Sequence, residues 1–263
     1  MKMLDPIAEN LTEVITDLVQ LRIKADLTLL PKYPTFGKKI YPLGRCLEIR
    51  DEVFELLKTE LQQPKTAGLI ALTQYIKQGN ELTKIWGGLR DLYFQNAMKV
   101  GEYYIDVSND TVNPNKPRVE VLLYRDAGFK PIEDFEYFCE IAEKYWHVKL
   151  FKNSVCSSLA PFMPVLCVDN NNKSWLAAND IMIQLARASQ FIKSEQILNQ
   201  LAEPSEQIKL NWQAQLKQAN KPDLNNKMSP QAYCQLYREQ KLDQNLAFRN
   251  QMVSQFISIN KPV

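Results

Sequence analysis

Histidine is nearly absent from this sequence, since His147 is its only imidazole. Zinc sites built from several histidines, HExxH metalloproteases and two-histidine iron sites each need at least two imidazoles. A lone chain therefore cannot form any of these sites.

Cysteine is sparse, and its arrangement excludes two further classes. The five cysteines are an odd number and contain no CxxC pair, so they predict neither a disulfide framework nor a thiolate zinc site. A reducing compartment fits this pattern better. The five are Cys46, Cys139, Cys156, Cys167 and Cys234.

The chain also lacks an excess of either charge and a long apolar run. Lys and Arg exceed Asp and Glu by only 32 to 30, so no basic field indicates nucleic-acid binding. We find no run long enough to span a bilayer and no uninterrupted apolar core of a signal peptide near the N-terminus. These observations predict a cytoplasmic protein without a membrane span, and they leave its oligomeric state open.

Apolar periodicity predicts helices in the first part of the chain. Residues 5–20 place apolar side chains at helical spacing behind Asp5 and Pro6, which suit the N-cap and the first helical position. Residues 46–61 carry a second apolar stripe, and residues 133–146 a third. Residues 66–78 are apolar but short, so periodicity leaves helix and strand open there.

The stretch from Trp86 to Val112 changes to the period of strands. Tyr103, Ile105 and Val107 alternate with more polar residues, which predicts a half-buried strand. Residues 118–124 predict the next strand, and residues 92–100 a preceding one, so the three form an antiparallel meander. Further short strands are predicted at residues 147–151 and 164–168.

From residue 179 onward the sequence is almost wholly helix-forming. We therefore expect an α+β fold, in which a small, mostly antiparallel sheet packs against helices and the C-terminal third is helical. The predicted division is an α+β core at residues 1–178 and a helical region at residues 179–263. Apolar stripes in that region, at Leu210 and Ala214 and at Leu246 and Val253, offer a possible surface for a protein partner.

Cys46 stands at the predicted start of a helix, on its inward-facing stripe. Free N–H groups and partial positive charge at a helix N-terminus stabilise a thiolate, which lowers a cysteine pKa and makes a nucleophile. The alternative is a packing role, because free cysteine is among the most buried residue types.

The segments Pro42–Cys46 and Tyr104–Val107 resemble the papain-like and transglutaminase-like cysteine enzymes over roughly residues 40–125. In that superfamily a cysteine heads a helix packed on an antiparallel sheet, and a histidine and then an Asp or Asn follow on strands. The resemblance implies Cys46 as nucleophile and Asp106 as the orienting carboxylate, with no cofactor.

The chain departs from that pattern at the histidine. No histidine lies between Cys46 and Asp106, and Gln95 or Asn96 stands where the base is expected. An amide cannot accept a proton at neutral pH. Either His147 supplies the base from a later strand, giving an atypical hydrolase or acyltransferase, or the protein is a pseudoenzyme that keeps the scaffold.

Polar and aromatic residues near these positions are candidates for substrate contact. They are Arg45, Trp86, Gln95, Asn96 and Asn109. Each also has an ordinary structural interpretation, since aromatic residues are more often core and Asn favours turns.

Asp106 and Asp110 offer a third possibility, a divalent-metal enzyme that needs no imidazole. Their spacing matches no EF-hand loop. The competing interpretation is turn chemistry, with Asp106 either solvated or paired to Arg118 across the hairpin.

Overall fold

The computed structural model describes residues 5–224 and 228–259. The chain is an α+β protein that separates into two compact units, Met1–Pro131 and Ile132–Val263. The predicted fold class, with its helical C-terminal third, is confirmed. The boundary predicted at residue 179 is a change in composition. The division into compact units does not test it, so it stays a prediction.

The first unit consists of helices followed by a meander of strands. Its helices are α1 (Pro6–Glu9), α2 (Leu11–Lys32), α3 (Cys46–Glu60) and α4 (Ala67–Lys77). Its strands are β1 (Thr35–Phe36), β2 (Lys39–Ile40), β3 (Leu82–Leu89), β4 (Tyr93–Val100), β5 (Tyr103–Asp106), β6 (Glu120–Leu123) and β7 (Phe129–Pro131).

Local chemistry explains where the first helices begin. The Asp5 side chain accepts hydrogen bonds from the backbone N–H groups of Ile7 and Ala8, and Pro6 occupies the first turn, as predicted. Residues 66–78, left open by periodicity, form α4. Its N-terminus is held by Asp17 of α2, whose carboxylate accepts from the Leu69 N–H at 3.0 Å.

The main sheet is antiparallel, with strand order β6-β5-β4-β3-β7, and the predicted meander is confirmed. The expectation of a half-buried strand at β5 was wrong, because all four of its residues are buried. The sheet curls back on itself. Arg90, just after β3, reaches the carboxylate of Glu120 on β6 at 3.1 Å, although β4 and β5 lie between those strands.

The curl gives the sheet an outer face and an inner face. The outer face packs against α2, α3 and α4 through a shared apolar core that includes Met98, Val100 and Ile105. On the inner face the ring of Phe129 on β7 lies 5.6 Å from that of Tyr104 on β5. Both faces of the central strands are therefore enclosed within this unit.

The second unit has a three-stranded antiparallel sheet of order β10-β9-β8 and further helices. Its strands are β8 (Lys149–Lys152), β9 (Val165–Val168) and β10 (Ser174–Leu176). Its helices are α5 (Phe135–Trp146), α6 (Asp180–Ala188), α7 (Ile192–Gln200), α8 (Glu206–Gln218), α9 (Pro230–Glu239) and α10 (Leu246–Ile259). The strands predicted near residues 147–151 and 164–168 and the helix predicted at 133–146 are confirmed.

Aromatic packing organises the second unit around α9. The ring of Tyr237 lies 5.0 Å from that of Phe248 and 6.1 Å from that of Phe191, and its hydroxyl donates to the Ser158 carbonyl. Edge-to-face pairs of this kind add to the stabilisation from burial. Helix α9 is therefore part of the core of this unit.

Across the described residues, no helix is both long and apolar enough to cross a membrane.

Candidate functional site

Cys46 is the first residue of α3, as predicted, and its inward stripe is buried through Ile49, Val53 and Leu57. The segment before it is anchored by the Gly44 N–H, which donates to the Thr111 carbonyl at 3.0 Å. Gly44 has φ of +77°, a conformation that favours glycine. The start of α3 is thereby tied to the short 3₁₀ turn Asn109–Thr111.

The thiol of Cys46 receives a hydrogen bond from the Asn96 amide, with Nδ2 3.4 Å from Sγ. Burial raises the pKa of Cys46. The Asn96 hydrogen bond opposes this effect, and the negative charges of Asp106 and Glu48 reinforce it. The direction is opposite to the lowering expected from the helix N-terminus alone, and desolvation is its largest cause. Cys46 therefore carries a neutral thiol at neutral pH.

His147, the predicted base, belongs to the second unit. It follows the last residue of α5, is exposed to solvent, and ends that helix in a left-handed conformation with φ of 54°. Since it is the only histidine of the chain, the first unit holds no imidazole. A Cys-His pair is therefore not formed among the residues of the first unit.

Asp106 is fully buried on the inner face of the sheet. Its Oδ2 accepts hydrogen bonds from Gln95 Nε2 at 2.6 Å and from the Tyr104 hydroxyl at 3.2 Å. Its Oδ1 accepts from the Ser108 N–H at 2.8 Å and the Ser108 hydroxyl at 3.1 Å. Burial raises the pKa of Asp106 to about 6, and these four hydrogen bonds offset only part of the rise.

The predicted turn chemistry at Asp106 is confirmed, because its Oδ1 accepts from the N–H of Ser108 two residues later. Its expected surroundings, solvation or pairing with Arg118, were wrong. Arg118 instead donates to Asp26 at 3.0 Å, and it lies 3.9 Å from a carboxylate oxygen of Asp110. The residue opposite Asp106 in the ladder is Glu120, whose carboxylate is paired with Arg90. The sequence does not reveal this arrangement because it depends on the curl of the sheet.

Gln95 and Asn96 separate Asp106 from Cys46. Successive residues of a strand point to opposite faces of a sheet. Gln95 accordingly contacts Asp106 on the inner face, whereas Asn96 contacts Cys46 on the outer face. The predicted nucleophile and its predicted orienting carboxylate thus lie on different sides of β4.

Three other predicted substrate-binding residues have partners within the first unit. The guanidinium of Arg45 stacks on the rings of Tyr33 and Phe36, at 4.9 and 5.0 Å from their centroids. Trp86 is buried and stacks on Phe94, with ring centroids 5.1 Å apart.

Asn109 is buried and donates its amide to the Pro117 carbonyl at 3.0 Å. Substrate contact by Arg45, Trp86, Gln95, Asn96 or Asn109 stays a prediction.

A buried ion cluster beside this region was missed in the sequence. Arg22 of α2 is fully buried and binds Asp110 through two nitrogens, at 2.9 and 3.2 Å. It also donates to Asp26 at 2.7 Å and to the Val107 carbonyl at 2.6 Å. One signal was available, because Arg22 interrupts the inward apolar stripe of α2.

The carboxylates considered as metal ligands are occupied by these contacts. Asp110 is held by Arg22, and Asp106 by Gln95, Tyr104 and Ser108. Within residues 5–224 and 228–259, no group of three or more His, Cys, Asp or Glu side chains is placed to hold a metal ion.

Comparison with protein-family models, with curated proteins and with solved structures finds no match. Resemblance to the cysteine enzymes therefore stays a prediction that rests on the residues alone.

Proposed function

We propose that the first unit is a non-catalytic domain, a pseudoenzyme in which Cys46 has a structural role and the protein acts by binding. One observation carries the proposal. The group that hydrogen-bonds the Cys46 thiol is the side-chain amide of Asn96, at 3.4 Å. An amide at this position cannot remove the thiol proton, which is the first requirement for nucleophilic attack by cysteine.

Two further observations support the same conclusion. Burial raises the pKa of Cys46, so the reactive thiolate is scarce at neutral pH. Asp106, the predicted orienting group, is committed to Gln95, Tyr104 and Ser108 on the other face of the sheet. An atypical hydrolase or acyltransferase would need a lowered pKa at Cys46 and an orienting carboxylate on the same face of the sheet.

The test is the alkylation rate of Cys46 by iodoacetamide at neutral pH. Native protein is labelled for increasing times, digested, and the Cys46 peptide is quantified by mass spectrometry. The same protein in denaturant gives the rate of the unperturbed thiol. Background labelling is low, because burial raises the pKa of Cys156, Cys167 and Cys234 to about 12.

We expect Cys46 to react more slowly in the native protein than in denaturant. A faster native rate would mean that the fold activates the thiol, and the pseudoenzyme proposal would then be abandoned in favour of a cysteine-dependent hydrolase or acyltransferase.

A second candidate function is binding of a protein partner through the C-terminal helices. Leu246 and Ile257 are 56% and 49% exposed and, being eleven residues apart, lie on one side of α10. Leu210 on α8 is also 56% exposed. Exposed apolar residues that share a helix face are typical of helix-mediated recognition.

This candidate is best tested by substitution. Deletion of the chain from Ser229 onward would also remove α9, which is part of the aromatic core of the second unit. Leu246→Glu and Ile257→Glu should abolish recovery of a specific partner in a pull-down without lowering the melting temperature. Leu92→Glu, at an exposed position of the first unit, is the control. Equal recovery by all three variants would exclude α10 as the binding element.

A further inference from the structure

The side of α2 that faces solvent has no charged residue along its centre. Near-heptad spacing places a row of apolar and hydroxyl side chains there, which we call the α2 outer stripe. The α2 outer stripe consists of Thr12, Thr16, Val19, Ile23, Leu27 and Leu30, of which Val19 is partly buried and also packs against the core. Its apolar half is open to solvent, since Ile23, Leu27 and Leu30 are 39%, 75% and 48% exposed.

The opposite side of α2 is already used for packing in the first unit. Leu18, Leu21, Ala25 and Leu29 are buried there. A helix on the surface of a globular protein normally has a charged or polar outer face, whereas a helix with apolar residues on both sides is normally covered on both. The α2 outer stripe therefore indicates a second contact surface.

Charge is distributed unevenly along this part of the chain. From residue 5 to residue 21 the charged residues are all acidic, and from residue 22 to residue 39 all but Asp26 are basic. Of these, Arg22 is buried against Asp110 and lies outside the stripe, and Lys24 is exposed. This polarity also complements the helix macrodipole. The macrodipole, however, does not explain why the α2 outer stripe itself has no charged residue.

We infer that the α2 outer stripe binds the same stripe of a second copy of this chain, with the two helices antiparallel. A two-fold axis reverses one helix relative to the other, so each acidic half lies against the basic half of the partner. With the axis near Val19, Leu27 lies beside Thr12 of the partner and Ile23 beside Thr16 of the partner. The self-complementary charge pattern is what selects a second copy as the occupant. This inference does not depend on the state of Cys46.

One ionic contact follows from this arrangement. Glu13 and Lys24 are eleven residues apart, three helical turns, so they lie on the same flank of the stripe. In the antiparallel pair Glu13 comes within reach of Lys24 of the partner. Lys24 is exposed and pairs with Glu60 at 3.0 Å, while Glu13 makes no ion pair with any residue in the described part of the chain.

The contact is modest in size. A helix of 22 residues is about 33 Å long, and one stripe of it covers less than the roughly 800 Å² per partner of a standard interface. We therefore expect a reversible dimer with a dissociation constant on the order of micromolar or weaker.

The first test is analytical ultracentrifugation of the full chain over a concentration series. We expect a monomer–dimer equilibrium that Leu27→Glu shifts to monomer by at least tenfold in dissociation constant. Leu92→Glu is the matched control, because Leu92 is 60% exposed in the turn between β3 and β4 and should leave the equilibrium unchanged. Circular dichroism and a thermal melt verify that both variants fold.

The second test is a charge exchange. Glu13→Lys alone and Lys24→Glu alone should each weaken the dimer, and the double variant should restore it. Within one helix these positions are about 16 Å apart, so restoration requires contact between two copies. A chain that stays monomeric at all concentrations, a dimer that Leu27→Glu does not weaken, or a double variant without restoration would each overturn the inference.

Discussion

Gln95 and Asn96 are neighbours in β4, yet their amides donate hydrogen bonds on opposite faces of the sheet, to Asp106 at 2.6 Å and to the Cys46 Sγ at 3.4 Å. This pair explains why a cysteine at the head of a helix and a buried carboxylate do not form a relay here. Substitution of Asn96 should therefore affect the Cys46 thiol on the outer face, whereas substitution of Asp106 should affect the inner face.

Asn96→His should make Cys46 more reactive. An imidazole placed at the position of the Asn96 amide can take the thiol proton, and the resulting cation lowers the pKa of the thiol. Alkylation of Cys46 at neutral pH should rise by up to about tenfold for each unit by which that pKa falls. Asn96→Gln, which keeps an amide, is the control and should show no such rise. Equal rates for the two variants would mean that the thiol is limited by access rather than by ionisation.

Asp106→Asn should remove a pH dependence of stability. The pKa of Asp106 is raised from 3.8 to about 6 in the folded protein, so its contribution to stability is complete below pH 3.8 and is lost as the pH rises through 6. That loss is on the order of 3 kcal/mol. Urea unfolding at pH 4 and at pH 7 measures this. From pH 4 to pH 7 the free energy of unfolding of wild type should fall by about this amount relative to that of the variant. Parallel stability curves for the two proteins would contradict the prediction.

Arg22→Met should strongly destabilise the first unit. Removal of the buried guanidinium leaves the carboxylates of Asp110 and Asp26 without their shared partner, and breaking a buried pair costs about 3–5 kcal/mol. Lys58→Ala is the control, because the Lys58–Glu55 pair is more than half exposed and its loss should cost under about 1 kcal/mol. Denaturant unfolding measures the loss in free energy of unfolding for each variant. Similar losses for the two would show that the buried cluster stabilises the protein no more than an exposed ion pair does.

Gly87→Ala should disturb the pairing of β3 with β7. A Cβ atom at Gly87 would lie 2.2 Å from the backbone oxygen of Lys130, so the strands must separate to accept it. We expect a loss of about 1–3 kcal/mol in the free energy of unfolding. Gly37→Ala shows the opposite case, a backbone cost without a clash, since Gly37 has φ of +60° and a Cβ there meets no atom within 4 Å. An unchanged free energy of unfolding in Gly87→Ala would argue against the steric explanation.

The elements of the fold could largely be predicted from the sequence, because their signals are local. Asp5 with Pro6 and Ser229 with Pro230 mark helix starts through capping chemistry, and both caps are observed. The burial of both faces of β5 could not be predicted, since it depends on a curl that brings Arg90 to Glu120 across two intervening strands.

The candidate site shows the same division between local and long-range information. The position of Cys46 at the start of α3 follows from helical periodicity. The direction of the shift in its pKa does not, because desolvation depends on how the chain packs around the thiol. Arg22 was missed for a related reason: its partner Asp110 is 88 residues away in the sequence.

The curl of the main sheet also affects how the folded chain meets its neighbours in solution. An open sheet edge exposes unpaired N–H and C=O groups that can template strand addition and aggregation. Here the two edge strands, β6 and β7, have only four and three residues, and the Arg90–Glu120 ion pair joins the sheet across its curl near those edges. We therefore expect the first unit to resist edge-to-edge polymerisation as long as this ion pair holds.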